Sequence, residues 1–451
     1  MITFRRRRRS TRVAEAAIRQ HFGQDALDNL VTAARTFPVT ARVDLQLALE
    51  QLFGDRYPAK LVGVHAPYHH ETLSVASLLN LQGYPAVIGP LQHDEIDIGE
   101  TMPARCLRQG LWLGRLAGLP FAVLLSPALR YGQVEGMQLE VGVPSGEAGA
   151  DCSRRILDDV EALVRSTASY RGKVLSLEIE PNYSGKVGSV KVHKLRTVRR
   201  EDVVLPEATV ELLNRNVIDF IKRREQLSRL GMPVKKGLLF YGPPGTGKTH
   251  TVHYLASQLP QHTTLLITAE QVGLLDAYFQ LARFLQPAMI VIEDVDLIAR
   301  AREDARSACE ESLLNKLLNE MDGLREDAAL LFVLTTNRPD QLEAALAARP
   351  GRIDQAIEFP LPDPQGRRRL VQLYSGGVCL SQDVVDLIVA KTERASAAFI
   401  KELMRRSTQF YLEDDADGRL TPVHVNRALE EMLFRGGSLN VRLLGGAAPE
   451  G

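Results

Sequence analysis

The chain has 451 residues, 45% of them hydrophobic and 24% charged, with 55 basic side chains against 55 acidic ones. That length allows two or three domains with ample core, and the charge balance excludes a protein whose whole surface binds nucleic acid or membrane, though not one with a local patch. The four cysteines, Cys106, Cys152, Cys309 and Cys379, lie far apart with no C-x-x-C pair, which predicts reduced thiols in a cytoplasmic setting, with neither a disulfide framework nor a zinc site.

Met1-Ile2-Thr3-Phe4 is followed by Arg5 to Arg9 with no apolar region behind it, a pattern that argues against a secretory signal. The arginine run reads as a solvated tail, with contact to phosphates or an acidic partner as the alternative. Residues 1–200 then read as a separate α/β domain. Helical spacing covers Arg12 to Ala34 and Asp44 to Phe53, and a third helix carries Ile156, Val160 and Leu163 on one face. Apolar runs predict strands at Lys60 to Val64, Pro85 to Ile88, Phe121 to Leu125, Met137 to Val143, Val174 to Glu180 and Ser189 to Leu195. The most apolar run, Leu111 to Leu125, is broken by Arg115 and Pro120 and is too short to span a membrane. His65, His69, His70 and Glu71 lack zinc-site spacing and read as a polar loop; the acidic stretch His93 to Glu100 reads as a solvated turn. No motif in this region names a ligand.

A charged linker, Arg196 to Leu205, leads into a helix from Glu207 and then to the stretch that carries the chemistry, Gly242-Pro243-Pro244-Gly245-Thr246-Gly247-Lys248-Thr249. It fits G-x-x-x-x-G-K-[ST]: glycines let backbone N–H groups close on anionic oxygens, Lys248 reaches the outer phosphates and the Thr249 hydroxyl holds Mg²⁺. A buried strand precedes the loop and a helix with Val252, Leu255 and Ala256 follows it, the geometry in which a helix N-terminus favours phosphate. His250, directly after the loop, is counted with the nucleotide-binding stretch.

Downstream, strands at Thr263 to Thr268, Met289 to Glu293 and Leu330 to Thr336 alternate with helices, which predicts a parallel sheet covered on both faces. The second of these strands ends in Glu293-Asp294, two acids suited to Mg²⁺ and to the attacking water. Asn337 ends the next strand, where its amide orients the water or touches the γ-phosphate; a turn cap is the alternative. Arg349 and Arg352 flank a Pro-Gly turn and suit the charge of a transferred phosphoryl group, with a surface ion pair as the alternative.

In order and spacing these stretches, with Leu361-Pro362-Asp363-Pro364 and Ser396-Ala397-Ala398-Phe399-Ile400, resemble the AAA family of P-loop ATPases over about residues 200–435. The core looks closest to the branch of the mitochondrial Rieske-protein translocase, which shares the Glu-Asp order where most of the family has Asp then Glu. The resemblance implies a ring homo-oligomer, a hexamer, with Mg²⁺ and ATP between subunits. It also implies that Glu293 helps hold Mg²⁺, Asp294 polarises water, Asn337 senses the γ-phosphate, Arg349 and Arg352 reach into the neighbour's site, and Tyr374 lies near the adenine. The implied division is residues 1–200 for an unfamiliar partner-binding domain, 201–364 for the α/β ATPase subdomain, 365–435 for a helical lid and 436–451 for a loose tail.

Two departures temper the resemblance. Asp294 is a short acid for water activation, which predicts slow turnover. The interval Ala269 to Leu274 lacks the aromatic that a peptide-gripping pore loop wants, and the spacing of Tyr278 and Phe279 places them in the core, so processive unfolding is not expected. The leading function is an ATPase that remodels or assembles a protein partner. A nucleotide-dependent scaffold with little turnover is the alternative, and a nucleic-acid motor ranks below both.

Overall fold

Strands buried on both faces need no alternation of apolar and polar residues, and the second half of the chain is built on such runs. The computed structural model describes residues 13–23, 29–66, 71–80, 84–130, 133–167, 169–179, 187–296, 317, 319–321, 323, 328–340, 352–414 and 419–435. The chain divides into two compact units, Met1–Tyr170 with Leu177–Val192, and Arg171–Ser176 with His193–Gly451.

The first unit is a six-stranded sheet of β1 (Leu30–Pro38), β2 (Ala59–His65), β3 (Val87–Gly89), β6 (Gly110–Leu116), β7 (Leu119–Arg130) and β8 (Gln133–Pro144), ordered β1-β8-β7-β6-β2-β3. Every pairing in it is antiparallel. One face packs Ala122 and Leu124 against Ala14 and Ile18 of the helix Ala14–Phe22. On the other face Phe121 meets Phe53 and Tyr57, and the helix Glu147–Ser166 buries Cys152, Ile156, Val160 and Val164. The expected helix from Arg12 to Ala34 is cut short: it ends at Phe22, Gly23 turns the chain at φ +90°, and the β-branched residues that follow form β1 instead. His93 to Glu100 is likewise not simply a turn. β4 (His93–Ile96) pairs with β5 (Ala104–Leu107), and Asp94 accepts hydrogen bonds from Arg42 and Arg108.

β9 (Val174–Ile179) and β10 (Val187–His193) were expected to close the N-terminal domain. The first residues of β9 instead belong to the second unit, where Val174 and Leu175 run parallel to Thr264 and Leu265. The order of the core strands there is β12 (Thr263–Ile267), β13 (Ala288–Ile292), β14 (Leu330–Thr336), β11 (Lys236–Tyr241), β15 (Gln355–Glu358). All are parallel, and β13 and β14 are buried along their whole length. Tyr278 and Phe279 are fully buried, Tyr278 donating to the Leu266 carbonyl at 3.0 Å and Phe279 stacking on Phe332 at 5.7 Å. The helices Pro364–Tyr374, Gln382–Lys391, Ala397–Glu413 and Pro422–Glu430 close on a separate small core that includes Leu370, Ile388, Ile400 and Leu403. Asp363, Ser381 and Ser396 cap the first three by accepting from backbone N–H groups, each cap worth about 1 kcal/mol.

His262 sits 3.2 Å from the buried guanidinium of Arg224. Burial, reinforced by that cation, holds the imidazole down to about 4. The unfolded chain, with a histidine near the ordinary 6.5, therefore binds more protons through this window, and the contribution of neutral His262 is lost as pH falls from 6.5 towards 4. Thermal melts at pH 7 and pH 4.5 should show the wild type losing melting temperature relative to His262→Gln; an unchanged difference between the two would refute the assignment.

Candidate active site

In an open parallel sheet, ligands gather beyond the carboxyl ends of the strands. The register brings three such ends together here. Tyr241 of β11 lies beside Thr336 of β14, and Leu334 of β14 beside Ile292 of β13, so the loop after β11, Asn337 and Glu293-Asp294 all emerge on one edge.

Two of the loop's glycines have no room for a side chain. A Cβ on Gly242 would fall 2.3 Å from the Phe359 carbonyl oxygen, and one on Gly245 (φ +75°) 2.9 Å from both Ser396 Oγ and Ala398 Cβ. Gly245 is gripped by the lid, its carbonyl accepting from Ala398 N–H at 3.1 Å. The Thr246 hydroxyl donates to the Pro243 carbonyl at 2.8 Å. Lys248, 7% exposed, donates to the carbonyls of Gly242 at 2.7 Å and Pro243 at 3.0 Å, and to Asn337 Oδ1 at 2.8 Å. Burial pulls its ammonium below the usual lysine range, while Asp294 and Asp296 oppose the shift.

Asn337 is the hinge of the site. Its Oδ1 accepts from Lys248 while its Nδ2 donates to Asp294 Oδ1 at 3.0 Å. Asp294 stands at φ +48°, a left-handed conformation that Asp tolerates better than most residues, and its N–H donates to Thr335 Oγ1 at 3.1 Å. Asp296, 4% exposed, accepts from the Thr336 hydroxyl at 2.8 Å and the Asn337 N–H at 3.2 Å. It fixes the backbone of Asn337, and sequence reasoning missed it; the only signal was a carboxylate one apolar residue beyond Asp294.

Glu293 ends β13 with its N–H donating to the Ile267 carbonyl at 3.0 Å, and its Oε1 is buried without a hydrogen-bond partner. Burial keeps the nearby His253 below the ordinary imidazole range. An orphaned carboxylate oxygen and the Thr249 hydroxyl are hard oxygen donors of the kind Mg²⁺ takes.

Some of these residues border a cleft of about 380 Å³ lined by Pro244 to Thr251, Asp294, Thr335 and Asn337, while Gly242, Pro243, Glu293 and Asp296 are not among its lining residues. Its other wall is Asp202 to Leu205 of the linker with Leu370, Tyr374 and Lys401 of the lid, of which the sequence had pointed only to Tyr374. His250 donates to the Asp202 carbonyl at 3.1 Å and ties that linker to the loop. Tyr374 therefore lines the cleft, its phenol held protonated by burial. Arg352 does not line it. At the start of β11 the Asp354 N–H donates to the Gly237 carbonyl while the Gly237 N–H donates to Asp354 Oδ2, and the Arg352 carbonyl abuts Gly237. At about 3.3 Å per residue, that is roughly 16 Å along the strand from Gly242. Arg349 and Cys309 lie outside the described residues, as do His69 and His70; His65 stands in β2 with Nε2 2.8 Å from the Pro90 carbonyl oxygen.

Comparison with known proteins agrees with this geometry. The model of the ATPase family associated with various cellular activities (AAA) matches residues 238–361. The chain is 31% identical over 256 residues to the proteasome-activating nucleotidase of Methanothermobacter thermautotrophicus, covering 54% of this chain and 61% of that one. It is 29% identical over 297 residues to the 26S proteasome regulatory subunit 4 homolog of Dictyostelium discoideum, covering 63% and 66%. It is also 31% identical over 233 residues to the ATP-dependent zinc metalloprotease FtsH 3 of Sorangium cellulosum, covering 48% and 38%. The chain thus spans less than two thirds of the length of these relatives. They support the AAA family at large and not the branch of the Rieske-protein translocase, which the Glu293-Asp294 order and the likeness of Pro233 to Thr249 had favoured. The loop, acids and asparagine gathered on one sheet edge all fall within the residues that the AAA family model matches.

Proposed function

We propose that this chain hydrolyses Mg-ATP at the subunit interfaces of a homo-oligomeric ring, a hexamer, and uses the cycle to remodel or assemble a protein partner held by the first unit. The observation that carries this reading is the Lys248–Asn337–Asp294 chain of hydrogen bonds. One amide joins the cation that meets the outer phosphates to the acid that faces the water, so a γ-phosphate that draws Lys248 away from Asn337 also changes what holds Asp294. Thr249 and Glu293 would hold Mg²⁺, which supplies charge neutralisation on the phosphates. Asp294 takes the proton of the attacking water, and Asn337 orients it. Arg349 and Arg352 serve the neighbour's site, a reading supported for Arg352 by its place at the far end of β11. No described helix is long and apolar enough to cross a membrane; a cytoplasmic setting belongs to the proposal. So does the absence of processive threading, which the burial of Tyr278 and Phe279 supports.

A switch with little turnover is the second reading, favoured by a short acid at Asp294 already engaged by Asn337. Phosphate release and sedimentation, measured together with and without Mg-ATP, separate the two. Turnover that rises with ring assembly is expected. Assembly without phosphate release would establish the switch, and neither response would overturn both.

A further inference from the structure

Strand β1 is an edge of the six-stranded sheet among the described residues, and its hydrogen-bond arithmetic says what would complete it. Ser145 N–H donates to the Asn29 carbonyl at 2.7 Å, and Leu30 stands opposite Pro144, which has no N–H. Hydrogen-bonded and non-bonded pairs alternate in an antiparallel ladder. Hence Val31, Ala33, Arg35 and Phe37 exchange bonds with β8, and Leu30, Thr32, Ala34 and Thr36 turn their N–H and C=O groups away from it. The carbonyl of Phe37 confirms the phase, since a Cβ on Gly136 of β8 would meet it at 2.2 Å. Thr32, Ala34 and Thr36 are exposed.

Native edges are usually blunted by an outward lysine, a bulge, a proline or a covering element. β1 pairs with β8 in unbroken register, carries no lysine, and has its one proline at the last position, Pro38. Its single charge is spent inwards: Arg35 Nη1 donates to the Leu157 carbonyl and to Glu161, and Nη2 to Asp158. What remains is a row of uncharged, small residues offering a donor and an acceptor every second position.

We propose that the outer edge of β1 binds an extended segment of a protein partner by strand addition, with Leu30, Thr32, Ala34 and Thr36 supplying the backbone bonds. This rests on the reading that the first unit recognises a polypeptide. A second copy of the chain fits less well. Nine residues at about 3.4 Å give an edge roughly 30 Å long, and such a contact buries on the order of 300 Å² per side, short of the roughly 800 Å² per partner of a stable interface. An extended peptide needs only the ladder itself, read through the backbone with little demand on sequence.

The test uses the full chain and fluorescein-labelled casein as an unfolded polypeptide. Ala34→Pro removes one outward donor and no bond to β8. It should weaken casein binding at least tenfold by anisotropy while leaving basal ATP turnover and the melting temperature unchanged. A second measurement keeps the wild-type protein: a labelled ten-residue peptide of alternating threonine and valine should bind, and the same peptide N-methylated at every second residue should not. Casein bound equally by folded Ala34→Pro, no casein bound by the wild type, or equal binding of the methylated peptide would each overturn the edge assignment. A dimer lost in Ala34→Pro would reassign the edge to self-association. In all these cases ATP turnover and ring assembly report separately on the ATPase reading.

Discussion

Lys248→Ala should abolish measurable ATP binding. The ammonium is the positive side chain at the centre of the loop, and it is 7% exposed, so its charge acts with little screening by water. Truncating one member of a buried charge pair costs about 2–5 kcal/mol, which corresponds to an affinity loss of roughly thirtyfold to several thousandfold. The wild type should gain melting temperature with Mg-ATP, about 2.7 kcal/mol of stabilisation at a hundred times Kd; the variant should gain none. The substitution also strands the carbonyls of Gly242 and Pro243 and the Asn337 Oδ1 that Lys248 now satisfies. The nucleotide-free variant should therefore melt lower, by the roughly 1–3 kcal/mol of an unmet buried acceptor. A variant titrating ATP with wild-type heat would remove the basis of the site.

Asp294→Asn should separate binding from hydrolysis. Asparagine keeps the shape, tolerates the φ of +48° and can still accept from Asn337 Nδ2. It cannot take a proton from water. Loss of a general base costs about 10²–10⁴ in rate, so single-turnover phosphate release should fall at least a hundredfold with ATP affinity within a few-fold of wild type. Such a variant should hold partners that the wild type lets go. Undiminished hydrolysis would transfer the base role elsewhere, Glu293 being the nearest acid along the chain. Asp294→Ala is the poorer experiment, because it adds backbone strain at a left-handed position to the loss of the carboxylate.

The phosphate loop was legible because its chemistry is local. Tight turn, cation and hydroxyl lie within eight consecutive residues, and the flanking strand and helix announce themselves by pattern. The acids and Asn337 were legible for a related reason: each ends an apolar strand, and a parallel sheet must bring such ends to one edge. Asp296 was not, since nothing in Val295-Asp296 shows that the carboxylate turns back to hold the Thr336 hydroxyl and the Asn337 N–H. Nor was the linker wall of the cleft, whose residues look like a charged connection until His250 reaches the Asp202 carbonyl.

The N-terminal unit was read least well, and for one physical reason. β1 was taken into a helical pattern, β4 into a turn and β9 into the wrong unit, because each is fixed by a partner distant in sequence: β8, β5 and β12. The sequence by itself determined the phosphate-loop pattern and the acids and amide that end its buried strands, since these are set by residues adjacent in the chain. Only the tertiary structure decided which amide joins Lys248 to Asp294, which linker residues line the cleft beside them, and which strand is an edge among the described residues, because those are pairings between segments that no local pattern encodes.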